Sequence, residues 1–577
     1  MTRHVDPPLD TLDELPTPLT HGERLVVRLF DQKLPEEWEI YVQPHLNGLR
    51  PDIVVLHPRI GIAVFEIKDW NLAAMDYFVG SNRGRDILMA ADKNGRVFSR
   101  EAENPINKIL LYERELFELY CPRLNDRAGR AVITAGLIFT ASPSQDVERV
   151  FGQFRRSHEQ MSKYPGYFPI VGAEQVASGD IAAIFPESSR KSSQWMTDDS
   201  AEDLRSWLRE PSFSRRQRRP LILDARQHEL ATTRTDTGYR RIKGPAGSGK
   251  SVVLAARASE LAAEGKSVLV VSFNITLLNY LRDLAVRHVA PRQVIRRRIE
   301  FLNFHYWCKR ICLKTGHIAE YDELWRGISN GGGESNSQPV PNEKRAVLDE
   351  NLATLVQRIY GRYAGMAVAP KYDAILVDEG QDFQPSWWQA LRRALAEHGE
   401  MVLVADKTQN VYGTAAKWTE ATMANAGFRG PWSELKTSYR LPPALVPHVD
   451  GFAKEFLAEE EVDIPEPKQQ LEMELSPVEL RWVHVRNEPD LLRACDEELI
   501  RMMKRLRGDS AVADIIFLSG NRLGREFVQM QSRKSVRVRH TFDDDGVRSR
   551  RQKRAFFQGD ARIKATTVHS FKGWEAR

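Results

Sequence analysis

Residues 242–255 read Ile-Lys-Gly-Pro-Ala-Gly-Ser-Gly-Lys-Ser-Val-Val-Leu-Ala, and within them Gly244, Pro245, Ala246, Gly247, Ser248, Gly249, Lys250 and Ser251 have the spacing G-x-x-x-x-G-K-S. The glycines let successive backbone N–H groups turn inward around a polyphosphate. Lys250 reaches the terminal charges, and Ser251 offers a hydroxyl to Mg2+ where a helix begins. A short apolar lead-in precedes the loop and Val252 to Ala256 make a buried helical turn, so the loop is expected between strand and helix. A glycine-rich turn merely joining two elements is the alternative, and it loses ground once a partner is found downstream. Residues 372–382 read Tyr-Asp-Ala-Ile-Leu-Val-Asp-Glu-Gly-Gln-Asp. A continuous apolar run ending in acids describes a buried parallel strand that delivers carboxylates at its C-terminal end, where ligands of α/β sheets bind. Asp378 would hold Mg2+, directly or through water, and Glu379 would polarise the water that attacks the γ-phosphate of ATP. Taken alone, these acids could equally cap the next helix.

The chain has 577 residues, too many for one hydrophobic core, so three or more domains are expected. Its 42% hydrophobic and 28% charged residues are ordinary for a water-soluble globular protein. The formal charge of +5, from 83 basic and 78 acidic residues, gives only weak support for a nucleic-acid partner. Basic runs at Arg215–Arg219, Arg292–Arg298 and Arg548–Arg554 could bind phosphate backbone or be solvated faces and linkers. The four cysteines, Cys121, Cys308, Cys312 and Cys495, lack metal-binding spacing, which suits reduced thiols and argues against zinc. No apolar run approaches a membrane span and the N-terminus is not signal-like, so the expected location is the cytoplasm.

In the N-terminal third, His21 to Leu34 has amphipathic helical spacing and carries Glu23. Three strand-like runs follow, at 38–42, 52–56 and 60–68. Asp52 opens the second, and Glu66-Ile-Lys68 closes the third. Alternation puts Glu66 and Lys68 on one face, where they could meet Asp52 across a hairpin. Two carboxylates can hold Mg2+, and a lysine can orient or help deprotonate a water. An acid and a lysine at alternate positions are also the ordinary polar face of a strand. Gly22-Glu23, Pro51-Asp52, Glu66-Ile-Lys68-Asp-Trp70, Asn104-Pro105 and the strand 135–140 together resemble the NERD (nuclease-related) domain of the PD-(D/E)xK fold, over roughly residues 20–185. The resemblance implies Glu23, Asp52, Glu66 and Lys68 as its site, with Mg2+ on Asp52 and Glu66. Cleavage of nucleic acid, or binding alone, are both consistent with it. The domain is expected over 1–186, followed by a Ser-, Asp- and Arg-rich linker over 187–220 interrupted by a short helix near 203–208. Residues 331–339 have a low-complexity, loop-like composition.

From Leu223-Asp-Ala-Arg-Gln227 onward the order of motifs resembles the UvrD/Rep-like superfamily 1 helicases. The resemblance implies an α/β fold with two RecA-like P-loop lobes. The first would cover 221–430, with a helical insertion over about 282–371, and the second 431–577, with a reduced or absent 2B insertion. It assigns Gln227 to the adenine edge and Gln409 to sensing the γ-phosphate. Arg440, in Leu435-Lys-Thr-Ser-Tyr-Arg440, would pair with that phosphate from the second lobe, and Glu575 would meet a ribose hydroxyl. It places Ser272, Phe273, Asn274, His305, Tyr412, Thr567 and His569 at single-stranded DNA. Aromatic rings suit that task because every base has a π-face, although Phe273 could equally be core. Ala405 stands before Asp406 in place of glycine and Val411 in place of isoleucine, a mild departure, and Ser438 stands in place of asparagine. The chain stops at Arg577, just after the Thr566-to-Glu575 motif, which leads us to expect a piece of a longer protein. The implied activity is an ATP- and Mg2+-dependent DNA translocase or helicase, moving 3′→5′ on single-stranded or partly double-stranded DNA and fused to a nuclease-like domain. Such an enzyme suits DNA repair or defence against foreign DNA. The rival expectation is an ATP-gated nucleic-acid-binding regulator that neither unwinds nor cuts.

Overall fold

Apolar strands flanked by amphipathic helices organise both parts of the chain. The computed structural model describes residues 3–15, 18–44, 50–82, 85–117, 121, 124, 129–209, 221–288, 298–329, 342–363, 369–406, 420–440, 442–456, 466–467, 479–505, 512–544, 546–557, 560, 562–574 and 576. They divide into two units, Met1–Pro211 with Gly559–Ala561, and Ser212–Gln558 with Arg562–Arg577.

In the N-terminal unit, Thr20 starts helix α1 (His21–Lys33) through a capping box with Glu23, and Val26, Val27 and Phe30 fill its buried face. The main sheet has the order β1 (Val5–Asp6), β2 (Glu39–Val42), β3 (Ile53–His57), β4 (Gly61–Lys68), β8 (Ile133–Phe139), β9 (Ile170–Val171). The β2–β3 and β3–β4 pairs are antiparallel, and β4 and β8 run parallel. Strand β8 is buried throughout and β4 up to Ile67, which is why alternation is absent from their sequences. A separate antiparallel sheet of β5 (Asp76–Asn82), β6 (Arg85–Ala91) and β7 (Val97–Ser99) was not expected from the sequence. Asn104 caps helix α2 (Pro105–Glu115), its side chain accepting from Ile106 N, with Pro105 in the first helical position.

The expected linker over 187–220 needs correction, because its first part is folded. Helix α3 (Asp198–Leu208) buries Ala201, Leu204, Trp207 and Leu208. Its Arg205 guanidinium bonds both oxygens of Glu39 on β2 at 2.6–3.0 Å. Few apolar residues occur in this stretch, but they recur at helical spacing.

The C-terminal unit holds a six-stranded, all-parallel sheet. Its order is β12 (Ile299–Asn303), β11 (Val268–Ser272), β13 (Tyr372–Asp378), β14 (Leu395–Ala405), β10 (Tyr239–Lys243), β15 (Trp432–Glu434). Helices α4 (Ala225–Thr232), α5 (Lys250–Ala263) and α6 (Leu277–His288) contribute to one core, around Leu254, Leu281 and Leu376. Helices α7 (Phe304–Lys314), α8 (Ile318–Ser329), α9 (Asn342–Arg362) and α10 (Pro385–Ala394) contribute to the other, around Trp307, Trp387 and Trp388. Two expected boundaries shift. Strand β15 lies beyond 430 yet pairs with β10, and α6 and β12, which overlap or fall within the 282–371 stretch expected as an insertion, belong to the sheet and the core packed on it. Two short strands, β16 (Thr437–Ser438) and β17 (Glu466–Pro467), form a parallel pair of their own. A further parallel sheet has the order β18 (Ile516–Ser519), β20 (Ile563–Thr567), β19 (Val538–His540). Helix α11 (Asn521–Arg533) connects β18 to β19, and its Phe527 stacks on Phe517 at 3.8 Å. No helix among the described residues is long and apolar enough to cross a membrane.

Candidate functional site

Strand β10 ends at Lys243 and α5 begins at Lys250, so residues 244–249 form the turn between them. Gly247 (φ 79°) and Gly249 (φ 85°) are left-handed, and a Cβ on Gly249 would meet Gln227 Nε2 at 2.3 Å. The Lys250 ammonium donates to the carbonyls of Gly244 (2.7 Å) and Pro245 (2.8 Å) and lies 3.3 Å from Asp406 Oδ2, at the end of β14. Asp378, at the end of β13, accepts from Glu379 N with Oδ1. Its Oδ2 is buried and has no hydrogen-bond partner among the described residues, and the same is true of Ser248 Oγ. Burial and then the charge of Glu379 push the Asp378 carboxyl up to about 7, against the pull of the Ser251 hydroxyl and Lys250. A buried, unpartnered carboxylate oxygen near a serine hydroxyl and a lysine fits Mg2+, and the Ser248 hydroxyl fits a phosphate oxygen.

Glu379 adopts a left-handed backbone (φ 51°). Its carboxylate accepts from Gln381 Nε2 (2.6 Å) and lies 3.5 Å from Lys572 Nζ. Lys572 follows β20 and donates to both oxygens of Asp382 at 2.9 Å. The 435–440 segment lies against the glycine turn: Ser438 Oγ donates to Ala246 O, Tyr439 N to Gly247 O, and the Tyr439 hydroxyl bonds the Asp224 carboxylate. Tyr439 and Arg440 thereby line, with Gln227, Lys250 and Glu379, a cleft of about 540 Å³. Gln227 uses both ends of its amide within the chain, donating to Ser248 O (3.2 Å) and accepting from Asp224 N (3.2 Å). Gln409, Tyr412 and Glu575 lie outside the described residues.

The residues expected at DNA are scattered in exposure. Ser272 is fully buried. Asn274 donates to the carbonyls of Ser570 (3.1 Å) and Lys572 (3.0 Å), so its amide ties the end of β11 to the segment after β20. Phe273 is half-buried, its ring 5.9 Å from Trp387, and His305 bonds Asp349 at 2.6 Å. Thr567 caps the short helix Val568–Phe571, which exposes His569.

In the N-terminal unit, Asp52 stands just before β3, and its Oδ2 accepts from Ile67 N on β4 at 2.6 Å. Glu66 is fully buried; Oε1 accepts from Lys68 (2.5 Å) and Lys108 (2.6 Å), and Oε2 from the Tyr112 hydroxyl (3.1 Å). Lys108 and Tyr112 are one turn apart on α2. Burial, then Glu66 and Glu23, push the Asp52 carboxyl well above the usual range against the pull of Lys68. Burial disfavours the Glu66 charge, but Lys68 and Lys108 outweigh it and hold that carboxyl low. Burial likewise works to lower Lys68, yet Glu66 and Asp52 outweigh it and strengthen the ammonium. Among the described residues no three His, Cys, Asp or Glu side chains converge as a metal-ligand set. Both Glu66 oxygens accept hydrogen bonds within the chain, Oε1 from two ammonium groups. The remaining oxygens, around Asp52 and Glu23, are the part of this pocket that suits a divalent cation.

A glycine turn and an acidic strand end line one cleft of a parallel α/β unit, and a unit with a buried acid–lysine cluster precedes it in the chain. Residues 19–136 match the nuclease-related domain family, and residues 351–425 match the UvrD/REP helicase N-terminal domain family. The chain thus has a stretch similar to the nuclease-related domain ahead of one similar to the UvrD/REP helicase N-terminal domain. The first match contains Glu23, Asp52, Glu66, Lys68 and Lys108; the second contains Asp378 and Glu379. Among solved structures the chain is similar to the Pif1 helicase from Candida albicans, at 13% identity, with a TM-score of 0.28, covering 55% of this chain and 56% of that one. The chain therefore spans little more than half the length of that helicase. No curated protein matches it. Sequence reasoning missed Lys108, Tyr112, Asp406, Tyr439 and Lys572 as site residues. Lys108 and Tyr112 had a signal, the four-residue spacing after a capped helix start; the others depend on which strand ends meet.

Proposed function

We propose that this protein is an ATP-driven superfamily 1 DNA translocase or helicase, moving 3′→5′ and joined to a Mg2+-dependent nuclease-like domain. The observation that carries the proposal is the unpartnered, buried Asp378 Oδ2, which belongs to a carboxyl within reach of Ser251 and Lys250. Bound Mg2+ would screen the charge of the phosphates, with Ser251 and Asp378 holding it. Lys250 would exchange the Gly244 and Pro245 carbonyls for phosphate oxygens, and Glu379 would orient the attacking water. Arg440 reaches the same cleft, and the exposed Tyr439 ring is a surface for the base to stack on. The residues after β15 would serve as a second RecA-like lobe, with Lys572 and the Asn274 amide coupling it to the acidic strand end as the lobes open and close. Gln409, Tyr412 and Glu575 keep their proposed roles in γ-phosphate sensing, base stacking and ribose contact. DNA repair and defence against foreign DNA are the two settings this machinery suits.

Strand displacement, ATP hydrolysis and strand cleavage by the full chain with Mg2+, beside Lys250→Ala and Lys68→Ala, test the proposal. ATP turnover stimulated by single-stranded DNA and lost in Lys250→Ala is the expected result. Protein that binds DNA in an ATP-dependent way yet neither unwinds nor cuts would be the nucleotide-gated regulator instead. Repeating the assay on RNA distinguishes the polymer.

A further inference from the structure

We infer that Gln43 is an oxygen donor for a divalent cation held beside Glu23 and Asp52, on the side of the pocket away from Glu66. The inference rests on the proposed cation dependence of the nuclease-related domain. Gln43 follows β2 directly, and its backbone N donates to Asp52 O at 2.9 Å, which fixes the two residues side by side. It is a non-glycine residue in the left-handed region, with φ 46°, a conformation that L side chains rarely adopt without compensation. The side chain is 6% exposed. Its Nε2 donates to Glu23 Oε2 at 3.3 Å. Turning the amide over would set its oxygen against that carboxylate, so Glu23 dictates the orientation. Oε1 is then buried with no partner among the described residues, an arrangement that proteins rarely leave uncompensated.

The neighbouring chemistry says what such an oxygen would accept. The titratable groups interacting with Asp52 are Glu66, Lys68 and Glu23. Lys68 and Lys108 direct their hydrogen bonds to Glu66, or to the Ile67 carbonyl, and the Tyr112 hydroxyl reaches Glu66 as well. Glu66 is thereby charge-balanced and accepts three hydrogen bonds, whereas no hydrogen bond among the described residues is made to Asp52 Oδ1 or Glu23 Oε1. Glu23 and Asp52 are left with a neutral amide oxygen beside them, a set of hard oxygens that suits Mg2+ or Mn2+ rather than a soft metal. The strained backbone at Gln43 is what brings its amide to this place.

Mn2+ titration of the nucleotide-free full chain, followed by calorimetry and by melting temperature, tests the inference. Gln43→Leu and Gln43→Gly are expected to weaken Mn2+ binding by roughly tenfold or more, and Gln43→Glu to preserve or tighten it. Glycine tolerates the left-handed backbone, so Gln43→Gly should keep its melting temperature in chelator while losing the Mn2+-induced rise. Should the leucine variant fail to fold, the glycine and glutamate variants decide. Affinities of Gln43→Gly and Gln43→Leu within about twofold of wild type, with binding abolished in Asp52→Asn, would overturn the role of Gln43 alone. Wild-type protein that takes up no Mn2+, or takes it up equally in Asp52→Asn, would overturn both this site and the cation dependence beneath it.

Discussion

Lys250 is 9% exposed and its ammonium is surrounded by acceptors that belong to the chain itself. A polyphosphate would substitute for those carbonyls, so Lys250→Ala should lower ATP turnover by about 10²–10³-fold in a steady-state hydrolysis assay. The Lys572–Asp382 pair allows a pH-resolved test. Burial pushes the Asp382 carboxyl up to about 6, despite the pull of Lys572. Because its value in the folded state exceeds its ordinary one, this group favours folding below about pH 4, and that contribution is lost as pH rises through 6. At about pH 8, Lys572→Met would leave a buried carboxylate without its counter-ion, a loss of about 3–5 kcal/mol. At about pH 5 the carboxyl takes up its proton more readily, so the loss in urea unfolding should be smaller, and Lys572→Met with Asp382→Asn should recover stability at the higher pH. Lys250 and Asp378 could be read in the chain as motif positions. Lys572 could not be paired with Asp382, because 190 residues separate them.

Helix α2 delivers Lys108 and Tyr112 to Glu66, and its start depends on the Asn104 side chain. Asn104→Ala should cost about 1 kcal/mol in urea unfolding of the N-terminal unit. A tightly ordered Glu66 cluster would loosen with it, which the amide exchange of β4 would report. In the glycine turn, Gly249→Ala combines a left-handed backbone with a Cβ 2.3 Å from Gln227 Nε2. Weakened nucleotide binding in equilibrium titration is the expected outcome. The amphipathic spacing of α1 and the apolar run of β13 were legible in the amino-acid order, since their period or length is distinctive. The three-stranded sheet of β5 to β7 was not, because its strands mix polar and apolar residues and are partly exposed.

For the molecule as a whole, α3 moves the end of the first unit from residue 186 to beyond residue 208. A fragment of residues 1–209 should unfold cooperatively, whereas one ending at 186 should lose stability and bind hydrophobic dye, because Leu204 and Trp207 normally fill its core. Circular dichroism melts of the two fragments check this. Local pattern alone determined the glycine turn, the acidic strand end, the helix carrying Glu23 and the Glu-x-Lys strand, since each is written in a few consecutive residues whose spacing matches a backbone period. Only the tertiary structure decided that Glu66 accepts from Lys68, Lys108 and Tyr112, that Asn274 holds the segment after β20, and that Gln43 stands strained beside Asp52. These relations join residues far apart in the chain. They depend on strand order and register, which follow from how the whole set of apolar faces is buried together.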